Sequence, residues 1–403
     1  MKILVLNTGS SSIKFQLFTM PDQAVIASGL VEKIGEEMSA IRYNRTAENL
    51  EHLDIKHEVL VRDHADGLTQ VVTFLMDDEK GVLSSPKEIL AVGHRVVHGG
   101  DQFSQPAVIE EDILSQLKQI SYLAPLHNPA CIKGIEVATE TFENATQVAV
   151  FDTAFHQSIP EHAYRFAIPS EYYEEHGLRS YGFHGTSHRY VMKQAAQHLE
   201  IDPEQFNAIT IHLGNGCSMA AIKNGKCIDT SMGLTPLGGL IMGTRSGDID
   251  PSVLLFLSDH LEMSTKEIDQ LLNKKSGLKG LTGTNDLRSI LDQYDKGDKA
   301  AQLAIAMYVY RIKKYIGAYA AALGELDALV FTAGVGENSA IIRNLICEDL
   351  GILGIELDNA KNASNQTGTR SIQSEISKVS VLVAPTNEEL EIALQTFEVV
   401  SAT

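Results

Sequence analysis

The chain has 403 residues, with 33 Lys+Arg against 52 Asp+Glu, a formal net charge of -19 at pH 7, and 44% hydrophobic residues. At ~150 residues per domain this means two or three domains, with enough apolar material to exclude a disordered chain. So acidic an exterior, with no run of Lys or Arg, excludes nucleic acid and anionic membrane as partners, and any anionic ligand must meet a locally positive site.

The first apolar run, Ile3–Leu6, stops at Asn7, too short for a signal sequence, and no later run approaches transmembrane length, so the expectation is a cytoplasmic protein. Further strands are predicted at Ile13–Phe18, Ile89–Val97, Val148–Phe151, Ala208–Leu213, Ala328–Thr332 and Val379–Val383. Helices are predicted between them at 110–121, 129–143, 187–199, 251–260, 286–294, 298–323 and 387–397, and Asp63, Asp286 and Asn387 read as capping residues. Interleaved strands and helices predict α/β sheets covered by helices. The polar stretch Ala360–Lys378 reads as a surface loop, and the tyrosine-bearing helix Ala301–Leu323 as a core helix or a dimer face. Cys131, Cys217, Cys227 and Cys347 are too scattered for a disulfide framework or a zinc site.

One internal similarity stands out. Ile3–Leu6 passes through Asn7-Thr8-Gly9-Ser10-Ser11-Ser12 into a second apolar strand, and Ile209-Thr210-Ile211-His212-Leu213 passes through Gly214-Asn215-Gly216 into Cys217-Ser218 in the same way. Ile89–Gly93 and Ala328–Gly334 are a second matched pair, each a strand ending at glycine. Two copies of one α/β unit, each offering a turn to a shared cleft, is the simplest organisation; a chance likeness between α/β units is the alternative. Turns rich in Gly and Ser aim several N–H groups and hydroxyls at one point, which suits phosphate oxygens, and Lys14 adds a charge on the strand face of Ser12. A tight hairpin without a ligand would have the same composition.

Other chemistries fail on particular residues. Ala220 stands where a P-loop needs glycine, and Gly334-Val335-Gly336-Glu337-Asn338-Ser339 lacks the third glycine of a dinucleotide fingerprint, although it can admit a nucleotide at the helix that follows. His184 and His188 have metal-ligand spacing, but Gly185 replaces the glutamate of a zinc protease, and Ser187 lacks the glycines of a nucleophile elbow. Arg95, at the end of a buried strand in Gly93-His94-Arg95-Val96-Val97-His98-Gly99-Gly100, reads as a ligand clamp, with His94 and His98 as packing residues. Asp152 repeats the strand-end position with a carboxylate, and the glycine-rich loop 233–248 carries a second candidate, Arg245.

These motifs, with Thr386-Asn387-Glu388-Glu389, resemble those of the acetate kinase family in type and order from end to end of the chain. The resemblance implies an α/β fold of two duplicated ribonuclease-H-like, actin-like ATPase domains with an interdomain cleft. The first would span 1–152 plus 385–403, and the second, nucleotide-binding one 153–384. It implies ATP and ADP as substrates with Mg²⁺, or Mn²⁺ in its place, acetate and acetyl phosphate as the other partners, and a homodimer. Residue by residue, Asn7 and Glu388 resemble the metal-site pair. Lys14, Ser10, Ser12, His212, Leu213, Gly214, Asn215, Gly216, Asp286, Leu287, Arg288, Gly334, Val335, Gly336, Glu337 and Asn338 resemble the nucleotide contacts. Arg95 resembles the acetate-binding arginine, with Val97, Leu126, Phe183 and Pro236 around the methyl group. His184 and Arg245 resemble the transition-state stabilisers, and Asp152 the active-site carboxylate.

The chemistry is coherent with those roles. Acetate is ionised at pH 7 and needs no base, so the difficulty is bringing two anions together, and catalysis becomes positioning plus charge neutralisation. Asp152 is then expected to orient metal-bound water or an arginine. A propionate or butyrate kinase on the same scaffold is the near rival. An actin-like ATPase without a carboxylate acceptor is the distant one, and it leaves Arg95 and Arg245 without a task.

Overall fold

The computed structural model describes residues 1–47, 50–125 and 127–402. It divides into two compact units, Met1–Ala154 with Asn387–Thr403, and Phe155–Thr386.

In the first unit, β1 (Lys2–Thr8), β2 (Ser12–Thr19), β3 (Ala24–Glu32), β4 (Ser39–Arg45), β5 (Leu53–Val59), β6 (Ile89–Val96), β7 (Ala107–Val108) and β8 (Thr146–Phe151) form one sheet in the order β5-β4-β3-β2-β1-β6-β8-β7. Leu4 and Leu6 of β1 enter a core on one face with Ile13, Phe15, Leu68 and Ala138. Ile3 and Val5 enter a second core with Ala91, Val148, Ile392 and Ala393. Burial on both faces is why β1 is apolar without a break. The second core is completed by the C-terminal helix Glu388–Ala402, which packs so closely on β6 that a Cβ at Gly93 would lie 2.9 Å from Ile392 Cγ2. That packing brings Glu388 and Glu389, in the helix's first turn, to the end of the sheet where Arg95 sits.

In the second unit, β9 (Ala208–Leu213), β10 (Cys217–Lys223), β11 (Lys226–Thr230), β12 (Ala328–Thr332), β13 (Arg370–Ser371) and β14 (Ser380–Val383) are ordered β11-β10-β9-β12-β14-β13. The runs β3-β2-β1-β6-β8 and β11-β10-β9-β12-β14 have the same order. Both are antiparallel across their first three strands and parallel across their last three. The likeness of the two glycine turns is therefore a likeness of topology.

Asp63, Asp286 and Asn387 all cap through their side chains, accepting from the N–H groups of Asp66, Arg288 and Leu390 at 2.9, 3.2 and 3.0 Å. Two expectations are corrected, and between two alternatives for a third element the core reading holds for two of its tyrosines. The stretch 360–378 is not all loop: Asp358 caps a short helix, Asn359–Ala363, and Arg370–Ser371 pairs with β14. Gly334–Asn338 is not a loop after a strand but part of a helix, Ala333–Asn338, that starts directly at the end of β12 with Ala333 at φ 63°. In the helix Lys299–Leu323, Tyr308 and Tyr319 are buried in the core, so these two tyrosines form no dimer face.

Candidate active-site residues

The first unit gathers one group at the ends of β1, β6 and β8. The Gly9 N–H donates to Ser12 O at 2.9 Å and closes the β1–β2 hairpin, leaving Ser10 exposed and Asn7 opposite Lys14 in register. Lys14 Nζ pairs with Glu389 at 2.6 Å. Arg95 Nε donates to both oxygens of Asp152 at 3.1 Å, and its second guanidinium nitrogen donates to Oδ2 at 2.6 Å. The same nitrogen lies 4.0 Å from Glu388 Oε2. Two cations, Arg95 and Lys14, thus face three carboxylates, Asp152, Glu388 and Glu389. Burial is the main cause that pushes the Glu388 carboxyl up; Asp152 and Glu389 add to it, while Arg95 opposes. Burial disfavours the charge on Arg95, but Asp152 and Glu388 outweigh it and hold the guanidinium charged.

Val97 does not belong to the strand as expected. β6 ends at Val96, and Val97 follows in a bend, half-buried like Arg95 two residues before it. Leu126 lies outside the described residues. His94 is buried with Nε2 2.8 Å from Gln147 Oε1, and His98 is buried with its backbone paired to the Asn128 amide, so both pack the core.

The second unit gathers a different group around the β9–β10 turn. Gly214 N–H donates to Gly216 O at 3.0 Å. A Cβ at Gly216 would meet His184 Cε1 at 3.3 Å, His184 Nε2 at 3.5 Å and an Arg245 guanidinium nitrogen at 3.6 Å, so turn, imidazole and guanidinium converge on one spot. His184 caps the helix Gly185–His198 in the left-handed region, at φ 57°, a conformation a histidine adopts only where its surroundings impose it. Its ring stacks on His212, centroids 4.2 Å apart, and His212 Nδ1 lies 2.9 Å from Ser187 Oγ. Arg245 donates to Pro236 O at 3.2 Å. Among the described residues no carboxylate pairs with it, and burial pulls its proton affinity down. Phe183 is buried just before His184, and its carbonyl lies 3.0 Å from His156 Nε2.

Beside the turn is a cavity of about 810 Å³ that brings together Gly214, Asn215, Asp286, Leu287, Arg288, Gly334, Val335 and Asn338. Leu213 precedes the turn in β9 and is fully buried, and Gly336 is buried against the end of β12. Glu337 faces elsewhere, its Oε1 accepting from Thr386 N at 3.1 Å. Leu291 and Ile341 also line the cavity. Leu291 was within reach of sequence reasoning as the i+4 neighbour of Leu287 on one helix face, whereas Ile341 had no local signal. Apolar walls with backbone and amide groups at one end suit a base and sugar. Ser218 and Thr210 belong to the matched strand–turn motif, but no sequence signal showed that they bond to the histidine cluster.

The pattern of the Acetokinase family matches residues 2–394. The chain is 51% identical over 393 residues, 98% of each chain, to an acetate kinase of Oleidesulfovibrio alaskensis. Among solved structures it is similar to an acetate kinase of Porphyromonas gingivalis, with TM-score 0.93 and 46% identity over 99% of both chains. It is also similar to a propionate kinase of Francisella tularensis, with TM-score 0.91 and 44% identity over 98% of this chain and 99% of that one.

Proposed function

We propose, from the premise that the chain belongs to the acetokinase family, a division of labour between its two units. The protein is a kinase with a carboxyl group as phosphoryl acceptor, built on the two-domain actin-like ATPase fold. It transfers the γ-phosphoryl group of ATP to acetate, giving ADP and acetyl phosphate, and runs in reverse. An acetate oxygen attacks phosphorus while the bond to the β-phosphate oxygen breaks, and no proton moves.

Arg95 binds the acetate carboxylate, held in place by Asp152, whose carboxylate acts as an orienting group and not as a base. Val97, Leu126, Phe183 and Pro236 are assigned to the methyl group. The second unit binds nucleotide through the cavity beside Gly214–Gly216, and Lys14, Ser10 and Ser12 contact phosphate from the first. His184 and Arg245 act on the phosphoryl group in flight. The family uses a divalent metal with ATP or ADP. Asn7 and Glu388 are assigned to the metal: both offer hard oxygen donors, Asn7 opposite Lys14 in register and Glu388 in a cluster of three carboxylates against two cations, which fits Mg²⁺ or Mn²⁺. An ion held by these residues would supply charge neutralisation for the phosphate oxygens.

One observation carries the proposal: Arg245, half-buried and with no carboxylate partner among the described residues, sits with His184 over a glycine turn, where its charge can meet a phosphate. ADP formation from MgATP with acetate, propionate, butyrate and no acceptor, run in parallel, tests it. Acetate should dominate; equal turnover without acceptor would instead mean an ATPase. The propionate kinase neighbour makes propionate the second candidate acceptor.

No helix among the described residues is long and apolar enough to cross a membrane, and we place the protein in the cytoplasm. A homodimer is proposed through the helix Ser252–Leu261, which has no buried residue in the single chain and exposes Leu255, Phe256 and Leu261. With Val253 and Leu254 these side chains make a contiguous exposed apolar patch, which marks an interface. Light scattering on Leu255→Glu should read a monomer.

A further inference from the structure

Four side chains behind the candidate phosphoryl site form a single file. Thr210 Oγ1 lies 2.7 Å from His188 Nδ1, His188 Nε2 lies 2.7 Å from Ser218 Oγ, and Ser218 Oγ lies 2.9 Å from His184 Nδ1. Thr210, His188 and Ser218 have no solvent exposure at all. Each buried hydroxyl has one proton to donate, and leaving it unmade costs about 1–3 kcal/mol.

Counting those protons gives the file a direction. Among the described residues, the Thr210 hydroxyl has no hydrogen-bond partner but His188 Nδ1, so it donates there. His188 must then carry its proton on Nε2 and donate to Ser218. Ser218, with only the two imidazoles as partners among the described residues, spends its own proton on His184 Nδ1. His184 is left with its proton on Nε2, on the ring edge that faces Gly216 and Arg245.

We infer that Thr210, His188 and Ser218 are positioning residues that hold His184 as the neutral Nε2–H tautomer, so that it meets the phosphoryl group as a fixed hydrogen-bond donor and not as a cation. The inference rests on the assignment of His184 to the phosphoryl group. Adding a second proton at Nδ1 would require Ser218 to turn, His188 to change tautomer and Thr210 to lose its acceptor, so the file resists charging of His184 as pH falls. Burial, with His156 and His212 nearby, likewise keeps His188 neutral. His212, stacked on its ring, and Arg245 also lie against His184, and the fixed charge of Arg245 disfavours a cation there. The i, i+4 spacing of His184 and His188 thus serves a shared serine where it suggested a shared metal.

The test is long-range proton–nitrogen correlation on the ¹⁵N-histidine-labelled full chain, with signals assigned by single-histidine substitutions, alongside kinetics of three variants. His184 and His188 should both be neutral Nε2–H tautomers at pH 7 and stay so to pH 6. In Ser218→Ala, His184 should become a tautomer mixture, and kcat should fall about 10- to 100-fold with the KM for ATP within about twofold. Ser218→Thr, which keeps the hydroxyl, should restore kcat to within about threefold of the parent. Thr210→Val, which keeps the shape of the side chain, should move the acid limb of the kcat profile up in pH, and it serves if Ser218→Ala does not fold. An Nδ1–H or doubly protonated His184 at pH 7 would overturn the inference. Tautomers as expected, with kcat unchanged in Ser218→Ala and Thr210→Val, would leave the file intact and overturn instead the assignment of His184 to the phosphoryl group.

Discussion

The β1–β2 and β9–β10 turns occupy the same place in two sheets of the same order, yet their charges are balanced in opposite ways. Around the first, every cation has a carboxylate: Lys14 has Glu389, and Arg95 has Asp152 with Glu388 close by. Around the second, Arg245 has a backbone carbonyl and a glycine turn. A duplicated scaffold has diverged in charge and kept its topology. The consequence is that the first unit suits a metal and a bound carboxylate, while the second offers positive charge to phosphate.

Stability should show the contrast most strongly. Arg95→Ala strips the partner from a buried carboxylate pair and should cost about 3–5 kcal/mol of unfolding free energy. Arg245→Ala removes a desolvated charge that no carboxylate among the described residues compensates, and should change stability by less than about 1 kcal/mol. Urea unfolding of both variants measures this, and equal losses would break the comparison.

One of the two buried imidazoles of the first unit, among the described residues, sharpens it. His94 is held neutral on β6, with burial pulling its pKa from 6.5 to about 4. The unfolded chain takes up this proton first, so the stability is complete above pH 6.5 and is lost as pH falls towards 4. The loss is on the order of 3 kcal/mol. Urea unfolding of the parent and His94→Gln at pH 7, 5.5 and 4.5 should show the parent losing this increment and the variant not.

Asp152→Asn should lower kcat by about 10- to 100-fold through misplacement of Arg95 or of a metal, while the shape of the kcat profile against pH stays that of the parent. Disappearance of an ionisation from that profile would give Asp152 a proton to transfer. The smallest effect is expected at Val97. Excluding one methylene is worth about 1–3 kcal/mol, so the parent should use propionate about 10- to 200-fold less well than acetate in kcat/KM. Val97→Ala should narrow that gap by about tenfold or less, and an unchanged ratio in an active variant would remove Val97 from the acyl pocket.

Legibility in the sequence followed burial. β1, β6, β9 and β12 are largely buried and read as mainly apolar runs. By contrast β5, at the sheet edge, exposes Asp54, Lys56, His57 and Glu58 and looks like loop, as does most of 24–59. The short helix Asn359–Ala363 is polar because Arg343 donates to both the side chain and the carbonyl of Asn362, a tertiary contact no local pattern encodes. Glycine turns and strand-end arginines announced themselves by residue type. Ser218 and Thr210 did not, because a serine and a threonine inside strands look ordinary until their single protons are counted. The charge contrast was hidden for a similar reason: Arg95 and Arg245 are the same residue type, and only their neighbours differ.

Arg245→Ala tests most directly whether the unpaired guanidinium serves the transferring phosphoryl group. Steady-state kinetics with saturating acetate and equilibrium MgATP binding should be measured on the same preparation. The expected result is a kcat lower by about 10³-fold or more with the ATP Kd within about threefold, partly rescued by added guanidinium ion. A large rise in Kd with kcat nearly unchanged would contradict the account and make Arg245 an ordinary nucleotide contact.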